Sequence, residues 1–341
     1  MRNFPYTNIK HEKLMKQSNN SRRTFLRQAG LGLSAAFLSP YIFSCDKAAV
    51  GTSPFHNLGI QLYSVRDLLA QDPIKTIETI AKIGYKHVET FGLDLNNNTF
   101  WNLSIAELKK VLDDNNLKSH SGHYDMSKFL KKGASESEPI EKYIEIAHTL
   151  GQEYITAPVT PMDDLNNLKV EDYQYAAEQL NKAGEMAKKA GLKTAYHNHF
   201  WEFRNFANGT KGLDILIAFT EPTLVDFELD LYWIHKAGFS PQSYFEKYPG
   251  RFSMWHIKDM DKQYTKPIVG EEYNGVGFEA IMKEIRYTEV GAGAIDFANI
   301  VKYADKSGLK YAFVEQDDIY LPNKFESIKQ SYDYVQKHLT T

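Results

Sequence analysis

The chain has 341 residues, of which 43% are hydrophobic and 24% charged, and a formal net charge of -3. These are ordinary values for a soluble globular protein. They leave no strongly basic face for nucleic acid, so a small-molecule partner is the default expectation and no nucleic-acid partner is expected.

The first residues differ from the rest. Arg22 and Arg23 sit in SRRTFLRQAG, ahead of the apolar run LGLSAAFLSPYIFS, which Pro40 interrupts and which is too short for a spanning helix of about twenty residues. The stretch resembles a twin-arginine export signal. Cys45, the single cysteine, excludes an intramolecular disulfide. Its place in IFSC is similar to a lipoprotein box, so residues 1–45 are expected to be a signal and 46–57 a spacer. An acylated Cys45 would make the protein periplasmic and tether it to a membrane, the one membrane contact expected.

From Leu58 onward a short apolar run, a polar turn and a longer stretch of helical spacing recur. The predicted strands are LGIQLYSV (58–65), KHVETFG (86–92), LKSHSGH (117–123), EYITAPV (153–159), LKTAYHNH (192–199), TLVDFELD (223–230), FSMWHIKD (252–259) and KYAFVEQDD (310–318). Between them PIKTIETIAKIG, SIAELKKVLDDNN, PIEKYIEIAHTLG and VEDYQYAAEQLNKAGEMAKKAG carry apolar residues at three- and four-residue spacing. Gly84, Gly151, Gly191 and Gly308 stand where a helix end wants φ > 0. Eight strands alternating with helices imply parallel pairing through crossovers, and eight is the number that closes a (β/α)8 TIM barrel. A doubly wound sheet would put a glycine-rich phosphate turn after its first strand, where QLYSVRD has none. No linker interrupts residues 58–339, so one barrel domain is expected there. The long connection after strand seven, with Gly270, Gly275, Gly277, Gly291 and Gly293, reads as a lid or substrate-contacting loop.

Titratable residues gather at the ends of the last four strands: His197 and His199 on strand five, Asp230 on six, His256 on seven and Glu315 on eight. The active end of a βα barrel is the C-terminal end of its strands, and mixed nitrogen and oxygen donors there suit a divalent metal. Lys258 follows His256 and is placed to neutralise an anionic intermediate, or to pair with Asp259. Glu89 and His123, ending strands two and three, and Trp233 are candidates for contacting a sugar.

LGIQLYSVRD, GYKHVET, YHNHFWEF, ELDLYW, HIKDM, GAGAIDF and FVEQDD together resemble the sugar phosphate isomerase/epimerase group of xylose isomerase-like TIM barrels. The resemblance implies one divalent ion (Mn, Mg or Zn), with ligands from strands five to eight. Asp230, His256 and Glu315 match the last three positions, while His197 replaces the glutamate usual on strand five. It also implies proton abstraction next to the carbonyl of a sugar or keto sugar. Loss of the symmetric carboxylate pair gives weight to one-base chemistry, in which Glu315 or His199 removes the proton. An isomerase or epimerase, a keto-glycoside lyase or hydratase, and a non-catalytic carbohydrate-binding lipoprotein are thus the readings carried forward.

Overall fold

The computed structural model describes residues 54–340 apart from 135–136, 160–166 and 208. Arg22, Arg23, Cys45 and most of the spacer lie outside the described residues. Eight parallel strands close into a barrel: β1 Gly59–Gln61, β2 His87–Thr90, β3 Lys118–His123, β4 Tyr154–Ala157, β5 Lys193–His197, β6 Val225–Asp230, β7 Met254–Ile257 and β8 Tyr311–Val314. Each pairs with its chain neighbours, and β8 returns to β1 through Gly59↔Phe313 and Ile60↔Val314. The eight expected strands are all present, and the doubly wound alternative is excluded by this closure.

The helices follow the sequence signals. Asp72 caps Pro73–Ile83 by accepting from the Lys75 amide at 3.0 Å, and Ser104 with Glu107 forms a capping box on Ile105–Asp114. Gly84 ends the first of these at φ 128°, where a Cβ would come within 2.4 Å of the Tyr332 hydroxyl, so both backbone and space require glycine there.

Every strand is covered on both faces, so alternation here separates the barrel interior from the layer beneath the helices. Val88, Leu229, Trp255 and Val314 belong to that outer apolar layer, with Trp255 stacked on Phe245 at 4.9 Å. Inside, Tyr154, Ala195, Met254 and Phe313 form a small apolar plug. Two residues further along their strands, His197, His256 and Glu315 rise from that plug toward the C-terminal end. β6 is polar through the whole depth: Asp226, Glu228 and Asp230 alternate with Phe227 and Leu229, and all are buried.

The long connection after β7 is tied down rather than poised over the opening. Asp259–Met260 pairs antiparallel with Tyr287–Thr288, and the Asp259 carboxylate accepts from the amides of Gly291, Gly293 and Ile295 at 2.9–3.1 Å. A Cβ on Gly293 would sit 2.2 Å from Asp259 Oδ1. The glycines read as lid hinges include one that serves this close approach.

Candidate active site and metal centre

β5 ends in Tyr196-His197 and runs on into Asn198-His199, and Asn198 Oδ1 accepts from the Asp230 amide at 3.1 Å, tying the end of β5 to that of β6. His197 Nε2 lies 3.4 Å from Asp230 Oδ2, with Nδ1 facing the Pro158 carbonyl at 3.4 Å. Asp230 divides its two oxygens: Oδ1 accepts from the Trp233 amide at 2.8 Å and so caps the helix Leu231–Lys236, while Oδ2 faces the site. His256 Nδ1 stands 2.8 Å from Glu315 Oε2 and 3.9 Å from Asp230 Oδ2. One donor atom from each of His197, Asp230, His256 and Glu315 falls within a 4.8 Å cluster, and all four residues are buried.

Two imidazoles and two carboxylates are a donor set for a borderline divalent ion such as zinc or manganese. The residues fit a metal on charge as well. Asp230, Glu315 and Asp317 crowd around the single ammonium of Lys258, whose Nζ lies 3.0, 2.6 and 2.9 Å from them. Burial opposes the charged form of all of these groups, yet the opposite charges prevail at three. Asp230 is held below its usual range by Lys258 and His197, Glu315 well below by Lys258 and His256, and Lys258 well above by the three acids. Asp317 is the exception: burial raises its carboxyl and, with Glu315 beside it, outweighs the lowering by Lys258.

Above these groups opens a cavity of about 370 Å³, whose lining includes Tyr63, His123, His197, His199, Glu315 and Asp317. His199 stacks on Trp201 at 4.2 Å and 8°, and its buried Nδ1 has no hydrogen-bond partner among the described residues. Burial, with His197 and Lys258 beside it, drives its pKa well below the usual histidine value, so the ring is neutral.

Of the residues expected from sequence, the four strand-end ligands converge, His199 lines the cavity and Lys258 lies beneath it. His123 also lines the cavity, but its Nε2 turns inward to Glu228 Oε2 at 2.8 Å. Glu89, expected at a sugar hydroxyl, is absent from the lining: it is fully buried and takes hydrogen bonds from Gln61 and His256, each at 2.7 Å. Trp233 is likewise buried, with Lys258 Nζ 5.3 Å from its ring centroid. No residue of the long connection lines this cavity, contrary to the substrate-contacting expectation. Asp317 and Glu228 had not been singled out. Both were findable by the period of two, since Asp317 shares its face with Glu315 and Glu228 with Asp230.

Glu202, three residues past His199, is fully buried and lies outside the lining. Tyr196 donates to its Oε1 at 2.5 Å and the His199 amide to its Oε2 at 2.9 Å. Burial pushes its pKa up from 4.5 to about 7. A carboxyl raised in this way stabilises the fold fully below its unfolded pKa, and the contribution is lost as pH rises through about 7. Glu202→Gln, which keeps one acceptor and stays neutral, is expected to gain about 2 kcal/mol on the wild type between about pH 5 and about pH 8. Urea unfolding at the two pH values checks this, and a pH-independent difference refutes it.

The model of the family described as xylose isomerase-like TIM barrel matches residues 77–337. An inosose dehydratase from Clostridium botulinum (strain Alaska E43 / Type E3) is 23% identical over 313 residues, 87% of this chain and 99% of that protein. Among solved structures, a sugar phosphate isomerase/epimerase from Parabacteroides distasonis ATCC 8503 superposes with a TM-score of 0.65 at 28% identity, covering 82% of this chain and 94% of the other. The IOLI protein with a bound zinc atom shares the fold at a TM-score of 0.62 and 17% identity, over 84% of this chain and 100% of the other.

Proposed function

Because the chain belongs to the xylose isomerase-like TIM barrel family, we propose that it is a divalent-metal-dependent enzyme that breaks the C–H bond next to the carbonyl of a keto sugar or keto polyol, with loss of water or an alcohol from the next carbon. An ion held by His197, Asp230, His256 and Glu315 supplies a Lewis acid for the carbonyl oxygen. His199 is the proton acceptor, since it is neutral, lines the cavity and has an uncommitted ring nitrogen. Asp317, which lines the cavity and contacts Lys258 Nζ at 2.9 Å, is placed to assist departure of the leaving oxygen. Lys258 balances negative charge beneath the cavity through its three carboxylate contacts.

The observation that carries this reading is the asymmetry of the donors. His197 stands where the resemblance places a second proton-exchanging carboxylate, and the neutral His199, two residues further on, lines the same cavity as Asp317. The dehydratase names of several sequence relatives support elimination. The name of the Parabacteroides structure supports a second reading, epimerisation at the same carbon.

One experiment separates them. Keto sugars, keto polyols and 3-keto-glycosides are incubated with the zinc- or manganese-loaded protein in deuterated water. Elimination gives a product lighter by water or the alcohol, with deuterium entering only as the enol ketonises at the carbon that lost the leaving group, and epimerisation gives deuterium at the α-carbon with no loss of mass as water or alcohol. Both should stop on chelation and resume on adding the ion back. Sugar binding without any exchange, undisturbed by chelation, would leave a carbohydrate-binding protein instead.

A further inference from the structure

One layer deeper than the strand-end donors, four side chains meet from the opposite sides of the barrel: Glu89 on β2, His123 on β3, Glu228 on β6 and His256 on β7. The strand-end donors reach His256 by its Nδ1, and these meet its Nε2. His123 Nε2 is 2.8 Å from Glu228 Oε2 and 3.3 Å from Glu89 Oε2. His256 Nε2 is 2.7 Å from Glu89 Oε2 and 3.2 Å from Glu228 Oε2. Each nitrogen thus faces both oxygens, and each oxygen both nitrogens.

Hydrogen bonding leaves much of this arrangement unused. Two ring nitrogens can donate at most one proton each, so only two of the four close contacts are hydrogen bonds at a time. Glu89 Oε1 and Glu228 Oε1, on fully buried side chains, have no hydrogen-bond partner among the described residues. An unmatched buried carboxylate oxygen is costly, and a cation relieves it. The four close contacts also have the right size. A tetrahedron with bonds of about 2.0 Å, the length of zinc–nitrogen and zinc–oxygen bonds, has edges of about 3.3 Å. Two of the edges here already have nearly that length, and the other two need to open by about 0.5 Å.

We propose that Glu89, His123, Glu228 and His256 form a second divalent-cation site, of four-coordinate geometry and suited to zinc, joined to the strand-end site through the two nitrogens of the His256 ring. This goes beyond the reaction proposed above, which needs the strand-end ion alone. Outer contacts already orient the donors. Gln61 Nε2 donates to Glu89 Oε2 at 2.7 Å, and the Gln61 Oε1 accepts from the Tyr63 amide at 3.1 Å, which fixes the amide's orientation. His123 reaches the lining of the cavity and so borders the way in from solvent. With ions on both sides of His256 the ring releases both of its N–H protons, and His123 coordinates through Nε2 with that nitrogen unprotonated.

The test counts zinc on the folded chain by native mass spectrometry after reconstitution of metal-free protein. The wild type is expected to hold two ions, Glu228→Gln one and Asp230→Asn one, the two variants losing different ions. A single ion in the wild type, kept in Glu228→Gln and lost in Asp230→Asn, overturns this site and leaves the strand-end site standing. A single ion with the opposite pattern supports the deeper site and removes the strand-end one. Should Glu228→Gln not fold, wild-type crystals grown with zinc decide the matter by anomalous scattering. A peak about 2 Å from His123 Nε2 supports the inference, and a peak at the strand-end donors only overturns it.

Discussion

Asp230→Asn is expected to remove the strand-end ion and lower α-proton exchange by about 10³-fold or more, since Lewis-acid stabilisation of the developing charge is worth several kcal/mol. Asparagine is the informative replacement because the two oxygens of Asp230 do different things. Oδ1 caps Leu231–Lys236 through the Trp233 amide, and an amide oxygen can keep that bond. Oδ2 faces His197 and Lys258, and there the substitution exchanges an anion for a neutral group. The fold should therefore survive with the helix intact, as circular dichroism would report, while metal content and exchange fall together. An Asp230→Asn protein that exchanges at the wild-type rate with its zinc in place would refute both the ligand assignment and the proposed reaction.

Lys258→Met is expected to destabilise the metal-free protein by about 3–5 kcal/mol, the usual cost of removing one partner from a buried ion pair. The ammonium is nearly inaccessible and lies within 3.0 Å of Asp230, Glu315 and Asp317 at once. Methionine fills much of the same volume and leaves three acids crowded without their cation. Added zinc brings positive charge to two of those acids, so the deficit between variant and wild type should shrink when the metal is saturating. Urea unfolding in chelator and in zinc measures both deficits. Equal stability of variant and wild type in chelator would mean that Lys258 is not what neutralises this cluster.

Much of this architecture was legible in the chain because the two signals that define it are local. Apolar runs bounded by turns marked most of the strands, and glycine at 84, 151, 191 and 308 marked several of the returns. Even β3, LKSHSGH, with few apolar side chains, kept its place in the alternation. The strand-end donors were legible for the same reason, since a strand end is a position in sequence. Depth within the barrel was not. Glu228 in FELD looks like a solvated acid of a half-exposed strand, whereas a barrel strand has no solvent face and its polar side points inward. Glu89 was misplaced at the rim by the same ambiguity. Asp317 sits in an acidic pair, EQDD, whose second member, Asp318, pairs instead with Arg66 at 2.9 Å near the surface. The long glycine-containing connection suggested motion, and the reason it is held, the Asp259 carboxylate gathering amides 32 to 36 residues away, is a tertiary contact.

The alternating acids of β6 bear on how the molecule assembles. Asp226 is met by Lys193 from β5 and Tyr154 from β4, both at 3.0 Å, Glu228 by His123 from β3 and His256 from β7, and Asp230 by Lys258 just past β7. Those partners come from both sides of the chain. A first half-barrel of β1–β4 would hold His123 with Glu89 but without Glu228, and a second of β5–β8 would hold Glu228 with one of its two histidines. Each half leaves part of its buried polar pairing to the other, which sets this chain apart from a barrel filled with aliphatic layers, where each half brings its own complement of apolar surface. Closure of the ring therefore completes the pairing of this buried charge, so that the two halves depend on each other electrostatically as well as through apolar burial.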